Sequence, residues 1–352
     1  MKSYHAIGMM SGTSLDGIDL VYCKIGNEQC KWTYEIIVAE SIPYSNSWKK
    51  RLENAPRIDA EKLVEEHIAY GFYLGELVRQ FINKNRLMPD LIASHGHTVF
   101  HDPENKINFQ LGDGNAIASL AKAPVVWDFR SMDIRKGGQG APLVPVGDRL
   151  FFREYDYCLN LGGFSNISFE DNKTRYAFDI CPVNIAINYF AGLVGYDLDL
   201  DGHLARKGEI SEELLDNLNA LSYHQEHWPK SLGREWFERT FLPAVMKHKT
   251  SPEDRLRTIY EHIAMQIAMS SGQKKTGKIL VTGGGAHNTF LMERIRAKNP
   301  NVIVLPDDAL IDFKEALIFA LLGVLRWENK VNCLGSVTGA FSDSSAGLIS
   351  LP

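Results

Sequence analysis

Residues 5–25, HAIGMMSGTSLDGIDLVYCKI, place two runs of β-forming residues on either side of a turn rich in Gly, Ser and Asp. That pattern is a hairpin signature. The same grammar returns half a chain later, as YDYCLNL (155–161), GGFSN (162–166) and ISFE (167–170). Two such hairpins at that separation predict two related lobes. Outward from them, helical and strand patterns alternate. AEKLVEEHIAYGFYLGELVRQFINK (60–84) carries apolar residues near i, i+3, i+4 and i+7. DLIASHG (90–96) predicts a buried strand ending at a glycine, and RLRTIYEHIAMQIAMSSG (255–272) another long helix. KILVTGGG (278–285) predicts a strand running into a glycine turn, followed by the helix HNTFLMERIRAK. Alternation of this kind predicts an α/β fold. The lobe junction is expected near 127–140, at the glycine-rich RKGGQGAPLVP, and the C-terminal SVTGAFSDSSAGLISLP is expected to return to the first lobe.

A chain of 352 residues is long for one core and comfortable for two. Apolar residues make up 45% and charged residues 23%, the balance of an ordinary globular enzyme. The net charge of −5 argues against a general polyanion binder, so no nucleic-acid partner is expected. Five cysteines are scattered without a CxxC pair, which argues against a disulfide framework or a cysteine zinc site and fits a reducing cytosol. The start, MKSYHAIGMMSG, has no sustained apolar core of a signal peptide, and ALIFALLGVLRW (316–327) is too short to span a bilayer. A cytoplasmic address without membrane attachment is expected.

Four near-motifs fail on chemistry. GQKKTGKI (272–279) has Ile279 where a phosphate loop needs Ser or Thr, and it precedes a strand instead of following one. DLDLDG (197–202) opens like a calcium loop, but position twelve is Gly208, so an acidic turn is expected. HGHTVFH (95–101) clusters His95, His97 and His101 without a partner carboxylate except Asp102, and reads better as polar site or loop residues than as a metal centre. GGGAHN (283–288) lacks the last glycine of a dinucleotide fingerprint.

GTSLDGID (12–19) is the strongest local signal for chemistry. Its glycines permit close backbone approach, Thr13 and Ser14 offer hydroxyls, and Asp16 or Asp19 suits Mg²⁺ held through water. Alone it reads equally well as a favourable hairpin turn. Together with LGGFSN (161–166) and the GGG turn it makes three glycine turns at strand ends, able to converge on one nucleotide. AFDICPVN (177–184) puts Asp179 at a strand end with Pro182 suited to a first helical turn; the plain alternative is a helix-capping carboxylate. FKEALIFALLGVL (313–325) predicts a buried helix with Glu315 in its first turn, there to complement the helix dipole or to bind a sugar hydroxyl or amide.

GMMSGTSLDGIDLV, SHGHTVFHDP, FQLGDGNAIA, VVWDFRSMDIRKGGQGAPLVP, LNLGGFSNIS, FDICPVN, PKSLGREWF, ILVTGGGAHNTFLM, KEALIFALL and SVTGAF together resemble the anhydro-N-acetylmuramic acid kinases, in the family's order from residue 8 to about 341. The resemblance implies a two-lobe actin-like ATPase (ribonuclease H-like) fold with mixed sheets flanked by helices. It places the first lobe at 1–128 plus about 336–352, the second at 129–335, and the active site in the cleft between. It implies an enzyme that uses Mg²⁺ and ATP to open 1,6-anhydro-N-acetylmuramic acid and phosphorylate O6, in peptidoglycan recycling, as a homodimer. Asp179 matches the catalytic aspartate and Glu315 the substrate-contacting glutamate, with Thr98, His97 and Arg130 in substrate motifs. ATP would lie on Gly12, Thr13, Ser14, Leu15, Asp16, Gly17, Ile18 and Asp19, on Gly162 and Gly163, and on Gly283, Gly284, Gly285 and Asn288. Asp16 and Asp19 would serve Mg²⁺.

Two departures stand out. Where the family commonly has DTGPGN this chain has DICPVN, so Ile180, Cys181 and Val183 replace a threonine and two glycines, and HGQT has become HGHT. They leave open a kinase of another amino sugar, or a catalytically silent nucleotide or muropeptide sensor.

Overall fold

The protein is described by a computed structural model covering residues 2–12, 15–29, 31–228, 230–272 and 276–352. It divides into two compact units, Met1–Phe151 with Phe313–Pro352, and Phe152–Asp312.

The first unit carries β1 (Lys2–Ser11), β2 (Gly17–Glu28), β3 (Lys31–Pro43), β4 (Leu91–Ser94), β5 (His97–Asp102), β6 (Ile107–Leu111) and β7 (Val125–Trp127). Its main sheet runs in the order C-terminal strand Leu348–Ser350, β7, β4, β1, β2, β3, and β5 pairs separately with β6. β2 is antiparallel to both β1 and β3, whereas β4 is parallel to β1 and β7 to β4. The second unit carries β8 (Tyr157–Leu161), β9 (Phe164–Asp171), β10 (Thr174–Pro182), β11 (Lys278–Thr282) and β12 (Val302–Val304), in the order β10-β9-β8-β11-β12. β9 is antiparallel to both neighbours, and β11 is parallel to β8 and β12. Each unit thus begins with an antiparallel meander and extends its first strand with two parallel ones. This repeat is the pair of related lobes expected from the two hairpins, and the mixed sheets flanked by helices are those of the actin-like, ribonuclease H-like fold.

The parallel additions need crossover connections, and helices supply them. Ala60–Asn85 joins β3 to β4; Asp59 caps it by accepting from Lys62 N, and Arg86 closes it in the left-handed region. Asn184–Gly192 follows β10, and Pro252–Ser270, capped by Ser251, precedes β11. The helix Asp308–Trp327 starts earlier than its apolar run suggests, because Asp307 accepts from Leu310 N at 2.8 Å and so caps it. Glu315 therefore lies two turns inside the helix, where the dipole role expected of it does not apply.

β1 sits in the middle of its sheet, with Ala6, Ile7 and Met9 buried. Gly8 faces the helix Asp308–Trp327. A Cβ at Gly8 would lie 1.8 Å from the carbonyl oxygen of Ala316 and 2.9 Å from Ala320 N, and one at Gly323 would lie 2.7 Å from Ala93 Cβ. Strand and helix therefore touch backbone to backbone.

The division at Phe151 and Phe313 keeps 129–151 and 313–335 with the first unit, unlike the expected boundaries at 128 and 336. Asp133 explains part of this. It is fully buried, its Oδ1 accepts from Thr338 Oγ1 at 2.7 Å and from Cys333 Sγ at 3.1 Å, and its Oδ2 accepts from Gly140 N at 2.8 Å. The glycine-rich loop is thereby bound to the C-terminal segment, and both lie in the first unit.

Gly8→Ala is expected to lower unfolding free energy by about 3 kcal/mol or more, because the obstructing atoms are main chain and cannot rotate away. A urea midpoint equal to wild type would show that strand and helix do not approach this closely.

Candidate functional site

In the first unit the candidate residues gather at the ends of β1 and β4. Ser11 Oγ donates to Gly96 O at 2.7 Å and His95 N to Met9 O at 3.0 Å, which ties the turn after β1 to the HGHT motif. Thr13 and Ser14 lie outside the described residues. Leu15 adopts φ 60°, and the side chain of Ile18 is fully buried, so Ile18 has only backbone to offer a ligand. A Cβ at Gly17 would lie 2.4 Å from Ile42 O, so this glycine is required by the hairpin itself. Asp16 is exposed, whereas Asp19 is half-buried and accepts from Ser41 Oγ at 2.5 Å.

Arg130 is positioned by a residue whose role the sequence did not disclose. Its Nη2 lies 2.7 Å from His95 Nε2 and its Nη1 donates to Gly140 O at 2.6 Å. His95 Nδ1 is 2.7 Å from Gly96 O, so the ring carries its proton on Nδ1 and accepts from Arg130 on Nε2. Burial and the adjacent guanidinium push the His95 pKa down to about 3, which keeps it neutral and able to accept. His97 is 5% exposed, is pushed by burial down to about 4, and has an Nδ1 with no partner among the described residues. Thr98 donates to Gln110 Oε1 at 2.9 Å, and Gln110 Nε2 donates to Asn108 Oδ1 at 3.0 Å. Burial raises the Glu315 pKa; Lys314 and Arg130 oppose the rise, and Asp19 and Asp148 add to it. Lys314 and Asp148 form a buried ion pair at 2.7 Å. Glu315 thus lies within electrostatic reach of both Arg130 and Asp19, and the carboxylates of Glu315 and Asp19 are hard oxygen donors of the kind Mg²⁺ accepts.

In the second unit the two glycine turns converge. A Cβ at Gly283, which has φ 86°, would lie 2.4 Å from Asn160 Oδ1, and one at Gly285 would lie 2.8 Å from Leu161 Cβ. Asn184 joins them, donating Nδ2 to Leu161 O at 3.2 Å and its main-chain N to Gly162 O at 3.2 Å. Gly163 faces open space, and beside Gly284 there is only Asn184 Nδ2, 3.9 Å from where a Cβ would stand. Among the described residues no hydrogen bond uses the N–H of Gly162 or Gly163. Open glycine backbone with free donors is suited to phosphate oxygens. Asn288 is committed elsewhere: its side chain caps the helix Thr289–Lys298 through Leu291 N at 3.0 Å and donates to Asp199 O and Tyr260 Oη. The DLDLDG stretch is the acidic turn expected, with Asp199 accepting from Leu204 N and Ala205 N.

Asp179 sits on an irregularity in β10, where the register with β9 shifts between Asp179 and Cys181 and leaves Ile180 as the extra residue. A bulge of this kind re-aims a side chain. Pro182 ends β10 and the helix begins at Asn184, so the proline does not open the helix, and Asp179 does not cap it. Its Oδ2 accepts from Leu232 N at 2.8 Å. Burial pushes its pKa up to about 6, against the small opposing pull of that N–H. The ordinary carboxylate value near 3.8 therefore does not hold. Ile180, Cys181 and Val183 are 2%, 0% and 0% exposed and belong to the hydrophobic core. All three departures from DTGPGN thus point inward, away from solvent.

The model of one protein family, described as anhydro-N-acetylmuramic acid kinase, matches residues 4–351. The chain belongs to this family. It is 36% identical to the anhydro-N-acetylmuramic acid kinase of Mannheimia succiniciproducens, over 99% of both chains, and 34% identical to that of Francisella tularensis subsp. novicida, again over 99% of both. Among solved structures it is similar to a ROK family glucokinase from Streptomyces griseus, at 12% identity and a TM-score of 0.40 over 90% of this chain and 97% of that one. Within the kinase family, DICPVN is therefore a variant whose novel side chains are absorbed by the core.

The raised pKa of Asp179 has a consequence for stability. The folded protein holds this proton more tightly than the unfolded chain, whose carboxyl titrates near 3.8, so stability falls as pH rises from about 4 to about 6 and stays lower above. The cost of the ionised form is on the order of 2–3 kcal/mol. Asp179→Asn is expected to be more stable than wild type at pH 8 and about equal at pH 4 in urea titrations. A variant less stable than wild type at pH 8 would refute the burial of an ionised carboxylate.

Proposed function

We propose that this chain is an ATP-dependent kinase that hydrolytically opens the ring of 1,6-anhydro-N-acetylmuramic acid and phosphorylates O6, releasing N-acetylmuramic acid 6-phosphate and ADP in peptidoglycan recycling. The observation that carries this reading is Asp179, a single carboxylate set on a strand bulge with its pKa raised to about 6, in a chain of this kinase family. At neutral pH it is ionised, yet more basic than an ordinary carboxylate, which suits proton abstraction from water.

Water adds to the anomeric carbon as the bond from C1 to O6 breaks through an oxocarbenium-like transition state, and Asp179 takes the proton of that water. The departing O6 bonds to the γ-phosphorus and ADP leaves, so no strong general acid is required. Arg130, Glu315, Thr98 and His97 are assigned to the sugar, and the N–H groups of Gly162 and Gly163, with the Gly283–Gly285 turn, to the phosphates. Arg130, held by His95, keeps its charge toward the sugar and its carboxylate. Asn288 supports the nucleotide turn as a helix cap, not as a contact.

Mg²⁺ fits the oxygen donors near the first turn, Asp19 above all, with Asp16 and Glu315 beside it. Among the described residues no group of three His, Cys, Asp or Glu is arranged to hold a metal, which accords with an ion that keeps most of its water. When bound, it would offset charge on the phosphates. We further place the protein in the cytoplasm, as a homodimer. Cys23, Cys181 and Cys333 are buried thiols outside any disulfide, in keeping with a reducing compartment, and no helix of the described residues is long and apolar enough to cross a membrane.

ADP release measured with the anhydro sugar, N-acetylmuramic acid and N-acetylglucosamine should be confined to the anhydro sugar, with ¹⁸O from water appearing at C1. Turnover of an open-ring sugar without that label would assign the chain to another amino-sugar kinase, and ligand binding without turnover would make it a sensor. Because Asp179 must be ionised, kcat/KM should fall about tenfold per pH unit below pH 6. Asp179→Asn should abolish sugar-dependent turnover while ATP still binds.

A further inference from the structure

β10 is the edge strand of its sheet, so the outward main-chain groups of Asp179 have no neighbouring strand to pair with. They are taken by a segment some fifty residues onward. Tyr223 Oη donates to Asp179 O at 2.6 Å, Asp179 N donates to Lys230 O at 3.4 Å, and Leu232 N donates to Asp179 Oδ2 at 2.8 Å. Lys230 Nζ donates to Tyr223 O at 2.9 Å and lies 4.6 Å from the centre of the Tyr223 ring, closing the segment on itself. From the sheet side, Ser165 Oγ donates to Cys181 O at 3.1 Å and accepts from Cys181 N at 3.3 Å, which fixes the far side of the bulge. The base is therefore gripped at its N–H, its carbonyl and one carboxylate oxygen. Among the described residues, no hydrogen bond reaches Oδ1.

We infer that Tyr223 and Lys230 are positioning residues that, with the Leu232 N–H, hold Asp179 so that Oδ1 is the atom that receives the proton from the attacking water. The inference rests on the reading of Asp179 as the base. Tyr223 is 4% exposed and its hydroxyl reaches only the peptide carbonyl of Asp179, so it acts through that residue and not on the sugar. Holding the carboxylate on the bulge also preserves the burial that raises its pKa. Without the Tyr223 hydroxyl the bulge loosens, the carboxylate gains water, and its pKa moves down toward the ordinary value near 3.8.

The test uses the full-length protein with Tyr223→Phe, and Lys230→Met as a second variant should the first not fold. The Asp179 carboxyl is titrated by NMR with ¹³C-labelled aspartate, against Asp179→Asn for assignment, and the pH dependence of kcat/KM is recorded alongside. Expected are a fall of the Asp179 pKa by about one unit from its wild-type value, the same displacement of the acid limb, and a loss of roughly tenfold or more in kcat with KM for both substrates changed less than about threefold. An Asp179 pKa and acid limb that stay at wild-type values in both variants, or a loss confined to KM, would overturn the inference. Retained turnover in Asp179→Asn would instead overturn the reading of the base, and the NMR titration tells the two failures apart.

Discussion

The first unit depends on the approach of β1 to the helix Asp308–Trp327, made possible by Gly8 lying against the Ala316 carbonyl. β1 ends at Ser11, and Ala316 follows Glu315, so one contact fixes the strand and the buried glutamate to each other. Small residues recur along the seam: Gly323 meets Ala93 on β4, and a Cβ at Gly147 would lie 2.6 Å from Ile318 Cγ1. At such distances dispersion contacts are made main chain to main chain, and side-chain motion adds little freedom. A helix apolar nearly all round is the sequence signature of that seam, because it is covered on every side.

The second unit solves a different problem. A carboxylate that must be basic has to be kept from water, and an edge strand with an irregular register does this at the expense of stability. The variant residues Ile180, Cys181 and Val183 bear on the same point. Replacing two glycines with larger apolar residues thickens the core beneath Asp179 and restricts the backbone there. Burial of these side chains and exclusion of water from the carboxylate act in the same direction, so the three apolar residues reinforce the burial that raises the Asp179 pKa.

Much of the fold was legible in the sequence because period and punctuation agreed: the two hairpins, the long helix from residue 60 and the GGG turn all appear where apolar pattern and glycines placed them. What was lost had weak local signals. Residues 308–312, DALID, are a short apolar run closed by an aspartate at each end, which disguised the two turns of helix in front of Glu315. Asn288 stands directly before a helical pattern, a capping signal that the expectation of an ATP contact drawn from the resemblance passed over.

The site was legible as residue types and much less as states. HGHT and DFR were visible as polar motifs, but nothing local says that His95 faces Arg130, 35 positions away, or that it is neutral so that it can accept from a guanidinium. Likewise, Asp179 could be found from its motif, whereas its raised pKa comes from burial, against a small opposing pull from Leu232 N–H more than fifty residues further on. Protonation states are sums over neighbours brought close by topology, so a motif can name a catalytic atom without naming its chemistry. In this chain the affinity of the Asp179 carboxylate for a proton is raised by burial on an edge strand with a bulge, a setting that no linear pattern announces.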